Sequence, residues 1–244
     1  MNPSGRTALV TGAARRLGRA IAEDLAAAGA RVAVCHRTST AEAQAVIAGI
    51  RARGGVAEAF TADLADPGAV ERLAADVTDR MGPVDVLVNN ASVFYPTPLD
   101  TLDVEAWDAV MAVNLTAPFL LALLLGRAMR ARGAGKIVNL ADIAAERPHP
   151  GYLPYGISKA GIVALTRGLA LELAPAVQVN CVAPGPILAP IDATPASTAA
   201  LVRGTPLGRL GDARDVAAAV RFLVTGSDFV TGTTVVVDGG RALA

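Results

Sequence analysis

The sequence predicts one α/β domain over residues 1–244, a Rossmann-type, doubly wound parallel sheet with helices on both faces. Apolar runs alternate along the chain with stretches of helical periodicity, which is the pattern of successive β-α units. These runs are continuous rather than alternating, as in strands that are buried on both faces. No low-complexity linker interrupts them, and 244 residues, 52% of them hydrophobic, suffice for a single core.

Three β-α units are predicted in the first third of the chain. The runs TALVTG, RVAVCH and VAEAFTA are short, apolar and followed by turn residues, as strands are. Helices are predicted at about residues 16–28, 40–53 and 66–81. Gly29 and Gly54-Gly55 end the first two helices, while Asp66-Pro67 forms the cap and first turn of the third.

Four more strands are predicted from the runs VDVLVNN, KIVNLA, VQVNCVAPG and TTVVVDGG. The first leads into a long helix that contains Asn114, and further helices are predicted at about residues 152–173 and 212–224. Pro118 has no N–H to bond the carbonyl of Asn114, so the long helix should bend there. We hypothesise that the free carbonyl holds a water in a proton relay to Lys159 and Tyr155. The alternative is that Pro118 only shapes packing.

The segment of residues 184–206, rich in proline, threonine and alanine, is predicted as a loop. It follows the carboxyl end of a strand, which is the edge where ligands bind in such sheets. We therefore predict a mobile lid over a site, and the alternative is a disordered surface loop.

Composition excludes several classes of function. Lysine and arginine balance aspartate and glutamate at 22 each, without a basic stripe, so nucleic acid is not an expected partner. Residues 109–126 are apolar but contain Asn114, Thr116 and Pro118, which predicts a buried or partner-packed helix rather than a membrane span. The N-terminus does not have the pattern of a signal peptide. Cys35 and Cys181 are predicted to be buried free thiols, and no spacing of Cys and His residues suggests a metal site. We expect a cytoplasmic protein without a metal.

The first strand–helix turn, TGAARRLG, is typical of dinucleotide binding. Gly12 and Gly18 let the backbone approach a pyrophosphate at a helix N-terminus. Arg15 and Arg16 lie where phosphate charge would be, although a tight turn with a solvated helix start has the same pattern.

The residues after the second strand indicate which dinucleotide binds. Enzymes that prefer NAD place an acid here for the ribose 2′-hydroxyl, whereas this chain has His36, Arg37, Thr38 and Ser39. These donors suit a 2′-phosphate, so we predict NADPH over NADH, and the alternative is a polar loop that binds nothing. Asp63 and Asn90 end the third and fourth strands, and we expect both to meet the adenosine half, the alternative being that either caps a strand end.

Five motifs occur in order over nearly the whole chain: TG-x5-G, NNA at residues 89–91, Asn114, Tyr155-x3-Lys159 and Pro184-Gly185. In this combination the chain resembles the short-chain dehydrogenase/reductase family. The resemblance implies NAD(P) binding, a homotetramer, and chemistry on Asn114, Tyr155 and Lys159. The cofactor-binding residues that we predict are Gly12, Arg15, Arg16, Leu17, Gly18, His36, Arg37, Thr38, Ser39, Asp63, Leu64, Asn90, Ala91, Tyr155, Lys159, Pro184, Gly185 and Ile187.

Three departures from the family pattern resemble its pteridine reductase branch. Arg16 replaces the middle glycine of the turn, Asp142 replaces the serine thirteen residues before Tyr155, and Ser92 follows NNA within NNASVFYPTPL. The branch also implies that Phe94 lines the pterin site. The predicted substrate-binding residues are Arg16, Ser92, Phe94, Asp142 and Tyr155, and the predicted substrate is a small pterin or folate. The long insertion of the parasite enzymes of this branch is lacking here, so the resemblance does not extend to the outer rim of the site.

Tyr155 and Lys159 share a helix face, and both are expected to be catalytic with Asn114 and Asp142. Tyr155 has an ordinary pKa of ~10, and bringing it to about 7 needs roughly 4 kcal/mol, of which the charge of Lys159 supplies part. An ionised Asp142 accepts hydrogen bonds only, so it would repel a ketone oxygen that becomes negative and would raise the pKa of Tyr155. It suits a C=N bond that becomes cationic. Alternatively Asp142 is protonated and donates, or it merely caps the next turn.

The sequence therefore predicts an NADPH-dependent reductase that takes dihydropterin, and also dihydrofolate, to the tetrahydro form. Phe94 would stack on the substrate ring opposite the nicotinamide, unless it is a core residue. The first alternative is a carbonyl or 3-ketoacyl reductase of the same family, and the second is a non-catalytic NADPH-binding protein.

Overall fold

The computed structural model describes residues 1–189 and 194–244, which form a seven-stranded sheet between two layers of helices. All six strand pairs of the sheet are parallel, in the order β3-β2-β1-β4-β5-β6-β7. The strands are β1 (Thr7–Val10), β2 (Arg31–His36), β3 (Val56–Thr61), β4 (Val84–Asn89), β5 (Gly135–Leu140), β6 (Val177–Pro184) and β7 (Thr234–Val237). The predicted fold class and all seven predicted strands are confirmed.

The helices lie where the sequence predicts them, with two exceptions described below. They are α1 (Arg16–Ala27), α2 (Thr40–Ala52), α3 (Pro67–Met81), α4 (Val104–Met111), α5 (Ala117–Ala131), α6 (Leu153–Glu172), α7 (Pro195–Arg203) and α8 (Ala213–Thr225). Local chemistry sets their starts: the Asp66 carboxylate accepts the N–H of Gly68 at the start of α3, and Asp212 does the same for Arg214 at α8.

Two apolar clusters fill the two faces of the sheet, as a doubly wound sheet requires. On one face, residues such as Ile21 and Val220 bring α1 and α8 against the strands. On the other face, residues such as Val77 and Leu121 do so for α3 and α5. Cys35 and Cys181 are buried and free, as predicted.

The predicted long helix is interrupted near Asn114. Helix α4 ends at Met111, a π-helical segment spans Ala112–Thr116, and α5 begins just before Pro118. The irregularity lies where Pro118 withholds its N–H, as expected. The whole segment Val104–Ala131 is long and apolar enough to cross a membrane, but half of its most apolar stretch is buried in the protein, as in core helices of globular proteins.

The prediction of a loop over residues 184–206 was wrong in its second half, because α7 forms there. The side chain of Thr194 accepts the N–H of Ser197, and Ser197 reaches back to Thr194, so the helix start has a reciprocal cap. Residues 190–193 of the predicted lid lie outside the described residues, and its mobility stays a prediction.

Strand order reverses between β1 and β4, where β1 pairs with β2 on one side and β4 on the other. In doubly wound sheets, ligands bind outside the carboxyl ends of the strands at this point. Most of the predicted site residues follow the carboxyl ends of β1 to β6, so the fold brings them to one edge.

Candidate active site

The turn between β1 and α1 is packed tightly against the end of β4. Gly12 has a φ of +62°, and a Cβ on Gly18 would lie 2.2 Å from the Gly12 carbonyl oxygen. The Asn90 amide donates to the Thr11 carbonyl at 2.8 Å, which fixes the turn from the other side. The backbone therefore requires glycine at both positions, and leaves the N-terminus of α1 open to an anion.

A cavity of about 410 Å³ opens beside this turn. Its lining contains most of the predicted cofactor residues: Gly12, Arg15, Arg16, Leu17, Gly18, His36, Arg37, Thr38, Ser39, Asp63, Leu64, Asn90 and Ala91. Ser92 and Val93 continue the wall towards Phe94. An elongated dinucleotide fits this arrangement, with the glycine turn for the pyrophosphate and the arginine-bearing rim for a further phosphate.

The rim of the cavity carries exposed cationic and hydroxyl groups. The Arg15 guanidinium donates to Ser39 Oγ at 2.8 Å and lies 3.5 Å from the Glu42 carboxylate. Arg37 is exposed and lies 3.9 Å from Asp63, so its charge is only loosely paired. These groups are placed to bind a 2′-phosphate without a competing buried ion pair.

His36 lines the same cavity but does not belong to the exposed rim, and its cofactor role stays a prediction. Its side chain is buried, and Nε2 lies 3.3 Å from Thr61 Oγ1. Burial lowers the pKa of the imidazole, and the nearby Glu42 opposes this only in part. His36 is the last residue of β2, and the donors that follow it are exposed at Arg37 and Thr38 and half-buried at Ser39.

Arg16 holds an uncommon backbone conformation at the start of α1. Its φ is +51°, in the left-handed region that glycine occupies without strain. The Arg16 guanidinium donates to the Ala189 carbonyl at 3.2 Å, across the mouth of the site. Arg16 thereby joins the glycine turn to the segment that follows β6.

Asp142 holds two hydrogen bonds with its two carboxylate oxygens. It follows β5, and Oδ1 accepts the N–H of Ala144 at 2.7 Å, so it does cap the short helix Ile143–Ala145. Oδ2 accepts the Tyr155 hydroxyl at 2.9 Å. The capping and site interpretations of Asp142 are therefore compatible, since each uses a different oxygen.

Burial and the Asp142 carboxylate both keep Tyr155 a neutral phenol. The pKa of Tyr155 is strongly raised, first by burial, then by the charge of Asp142 and by their hydrogen bond. The expected raising effect of Asp142 is confirmed, whereas a net lowering by Lys159 is not found. Lys159 Nζ donates instead to the Leu140 carbonyl at 3.0 Å, and lies 5.5 Å from the centre of the Tyr155 ring.

Lys159 is buried on the inner face of α6, one turn after Tyr155. Burial lowers the pKa of its ammonium group from 10.5 to about 8, while Asp142 and Cys181 act in the opposite direction. The lysine is thus poised to change protonation near neutral pH.

The side chain of Asn114 clamps the backbone of Val93. Its Oδ1 accepts the Val93 N–H at 2.8 Å, and its Nδ2 donates to the Val93 carbonyl at 3.0 Å and to Ser158 Oγ at 3.2 Å. These bonds place the loop after β4 against α6. The predicted water relay through the Asn114 carbonyl stays a prediction.

Phe94, Tyr152 and Tyr155 form a cluster of three aromatic rings. Phe94 is 54% exposed and stacks on Tyr152, with ring centres 4.5 Å apart and an angle of 10° between the planes. The Phe94 and Tyr155 rings have centres 4.7 Å apart and planes at 70° to each other. Phe94 is therefore a wall of the site and not a core residue.

The sequence matches the family described as Enoyl-(Acyl carrier protein) reductase over residues 12–242. The chain belongs to the short-chain dehydrogenase/reductase family. It is 37% identical to a 3-oxoacyl-[acyl-carrier-protein] reductase of Synechocystis sp., with 98% of each chain covered. It is 36% identical to 3beta-hydroxysteroid dehydrogenase 1 of Eggerthella lenta, with 98% of this chain and 94% of that protein covered.

A solved structure described as a blue fluorescent protein from a metagenomic library, in complex with NADPH, has the same fold. The TM-score is 0.92 at 36% identity, over 99% of this chain and 100% of that chain. Together with the cavity and its arginine rim, membership of the short-chain dehydrogenase/reductase family makes this chain an NADPH-dependent oxidoreductase.

Among the remaining predicted residues, Pro184, Gly185 and Ile187 do not line the cavity beside the turn. A Cβ on Gly185 would lie 2.5 Å from the Cβ of Asp238, so this glycine is required by packing against the end of β7. Ile187 is buried and lines a second cavity, of about 610 Å³, between β7 and the start of α8. Their cofactor role stays a prediction.

Ser158 and Tyr152 are site residues that the sequence analysis missed. Ser158 contacts Asn114 and its hydroxyl donates to the Tyr155 carbonyl at 2.7 Å. Tyr152 lies three residues before Tyr155, and that helical spacing was a usable signal. Among residues 1–189 and 194–244, no group of three or more His, Cys, Asp or Glu side chains is placed to hold a metal.

Proposed function

We propose that this short-chain reductase transfers hydride from NADPH to the C=N bond of a dihydropterin, with dihydrofolate as a further substrate. The hydrogen bond between Tyr155 and Asp142 is the observation that carries the proposal. In this arrangement the proton donor of the site lies against an acidic side chain instead of a neutral hydroxyl. Such a donor matches a substrate that gains positive character as it reacts.

The residues would act as follows. NADPH, when bound, supplies the hydride. Asp142 would accept an N–H of the ring and offset the charge of its protonated C=N bond. The proton on that C=N nitrogen would come from Tyr155 by way of Asp142, since the raised pKa keeps Tyr155 protonated until the substrate binds. Lys159, with Asn114 and its proposed water, would restore that proton.

A ketone develops charge of the opposite sign next to the same side chains. Its oxygen becomes negative as hydride arrives, and a carboxylate within hydrogen-bonding distance of Tyr155 would repel that oxygen. The exposed face of Phe94 supports the flat heteroaromatic substrate instead, since stacking needs an uncovered ring.

The second candidate is an NADPH-dependent carbonyl or 3-oxoacyl reductase, and the names of the curated relatives favour it. However, relatives at 36–37% identity include both a 3-oxoacyl reductase and a hydroxysteroid dehydrogenase. Likeness at this level therefore does not decide the substrate, whereas the acidic side chain of Asp142 favours the pterin.

NADPH oxidation with dihydropterins, dihydrofolate, 3-oxoacyl thioesters and simple ketones separates the two candidates. We expect turnover of the pterins to exceed that of the ketones, and Asp142→Ser to reverse the order. Higher ketone turnover by the wild type would establish the second candidate. Tight NADPH binding with no turnover of any substrate would instead indicate a non-catalytic NADPH-binding protein.

We also propose a cytoplasmic homotetramer. Large apolar side chains are exposed on α5 (Phe119 and Leu124), on α6 (Leu153 and Ile157) and on the edge strand β7 (Val236). Exposed apolar faces of this kind mark subunit contacts. Sedimentation of the purified protein tests the assembly, and a monomer at micromolar concentration would contradict it.

A further inference from the structure

The loop that carries Phe94 is held at two points, one on each side of the ring. On the N-terminal side of Phe94, the side-chain amide of Asn114 forms hydrogen bonds with both the N–H and the carbonyl of Val93. After Phe94, Thr97 donates its N–H to the Gly151 carbonyl at 2.6 Å and forms an isolated parallel bridge with Tyr152. Pro96 and Pro98 flank Thr97 and restrict the backbone further.

These two clamps leave the ring of Phe94 itself to be oriented by side-chain contacts. The Tyr152 ring lies parallel to Phe94 and covers one of its faces, with ring centres 4.5 Å apart. No further ring fits between two rings at that distance. A flat ligand can therefore stack only on the opposite face of Phe94, whose side chain is half exposed.

Tyr152 is itself fixed relative to the reacting groups. It is the N-cap residue of α6, and Tyr155 lies in the first turn of that helix. Phe94 touches both tyrosines, since its ring and the Tyr155 ring lie with centres 4.7 Å apart at an angle of 70°. The plane of Phe94 is thus set relative to the Tyr155 hydroxyl by way of α6.

We infer that Tyr152 is a positioning residue: by stacking on Phe94 it holds that ring as a platform for a flat substrate ring, and so favours planar substrates over aliphatic ones. This inference rests on the proposed function, because the planar substrate is there a dihydropterin. Tyr152 acts through Phe94 and needs no contact of its own with the substrate.

The test compares Tyr152→Leu, which removes the stacking ring, with Tyr152→Phe, which keeps it. With saturating NADPH, we expect Tyr152→Leu to raise KM for a dihydropterin about two- to twelve-fold, the range of one aromatic pair. The kcat should stay within about two-fold, and KM for an aliphatic 3-oxo ester should not change. Tyr152→Phe should match the wild type, and both variants should keep the wild-type affinity for NADPH.

A double-mutant cycle separates positioning from direct contact. In a Phe94→Ala background, Tyr152→Leu should have no further effect on KM. Equal losses for planar and aliphatic substrates, a change in kcat alone, or full additivity with Phe94→Ala would overturn the inference. If the wild type does not reduce dihydropterins, the proposed function fails, and a planar quinone then replaces the pterin in the same comparison and decides the role of Tyr152.

Discussion

The Tyr155 hydroxyl donates a 2.9 Å hydrogen bond to Asp142, while Lys159, one helical turn later, donates to the Leu140 carbonyl at 3.0 Å. Tyrosine and lysine thus face different acceptors, although they share one helix face. The carboxylate raises the pKa of both groups, and burial acts in opposite directions on the two, raising that of Tyr155 and lowering that of Lys159. The protonation of the site therefore depends on Asp142.

The pH dependence of turnover should reflect this coupling. If Lys159 must be protonated, kcat falls as pH rises through about 8, the value to which burial lowers its pKa. Asp142→Asn removes a charge that raises the pKa of Lys159, so the alkaline limb should move to lower pH. Profiles of kcat against pH from 5 to 10 for both proteins check this, and an unmoved limb would show that the two groups are uncoupled.

Replacing Asp142 should affect chemistry far more than folding. Asn keeps a side-chain oxygen to cap Ala144 but carries no charge, so we expect dihydropterin turnover to fall about 10²–10³-fold with little change in melting temperature. Asp66→Asn is the matched control, because Asp66 caps α3 in the same manner but lies outside the site. Similar losses of activity in the two variants would contradict the role of Asp142.

Arg37 should distinguish NADPH from NADH. Its exposed guanidinium is paired only loosely, at 3.9 Å from Asp63, so Arg37→Ala should leave stability nearly unchanged. A charge-assisted bond to a 2′-phosphate contributes roughly 1.5–3 kcal/mol, which corresponds to a rise of about ten-fold or more in KM for NADPH. Steady-state kinetics with both cofactors measure this, and an equal rise for NADH would contradict a role in 2′-phosphate binding.

The strands and most helices follow from the sequence because local signals and burial agree. Each strand is a continuous apolar run, and Asp66 and Asp212 mark helix starts with their own side chains. Helix α7 was missed because its cap, Thr194 and Ser197, lies in a proline-rich stretch without a strong apolar stripe.

The site residues follow from the sequence only where the backbone alone positions them. The carboxyl ends of neighbouring strands meet at one edge, so Asp142 and Asn90 were placed there correctly. The orientation of side chains depends on tertiary packing instead. The burial of His36, the clamp of Asn114 on Val93 and the stacking of Tyr152 on Phe94 are all contacts between distant segments, which no local pattern encodes.

The backbone of Arg16 predicts an inversion of the usual helix ranking. At its φ of +51°, any residue with a Cβ is strained by about 1 kcal/mol, whereas glycine is not. Arg16→Gly should therefore be more stable than Arg16→Ala, even though alanine is the better helix former. Thermal unfolding measures both, and Arg19 of the same helix is the control, where Ala should be more stable than Gly. The usual ranking at residue 16 would contradict the strained conformation.

Because Lys159 is buried, we predict that its charge lowers the free energy of unfolding of the protein at neutral pH. In the unfolded chain this lysine titrates near 10.5 and in the fold near 8, so between these values the unfolded chain binds more protons and stability rises with pH. Below about pH 8 the full penalty applies, and Lys159→Met removes it. We expect this variant to be inactive yet more stable than the wild type by about 1–3 kcal/mol at pH 7, less the lost bond to Leu140. The gain should shrink towards pH 10, where the wild-type lysine is uncharged in the folded protein.

Chemical denaturation at pH 7 and pH 10 measures the stability gain at each pH. The comparison is Lys136→Met, because Lys136 is equally buried but forms an ion pair with Asp228 at 2.6 Å. That variant should lose stability at pH 7, and a loss of stability in Lys159→Met as well would show that the catalytic lysine is stabilised in the fold.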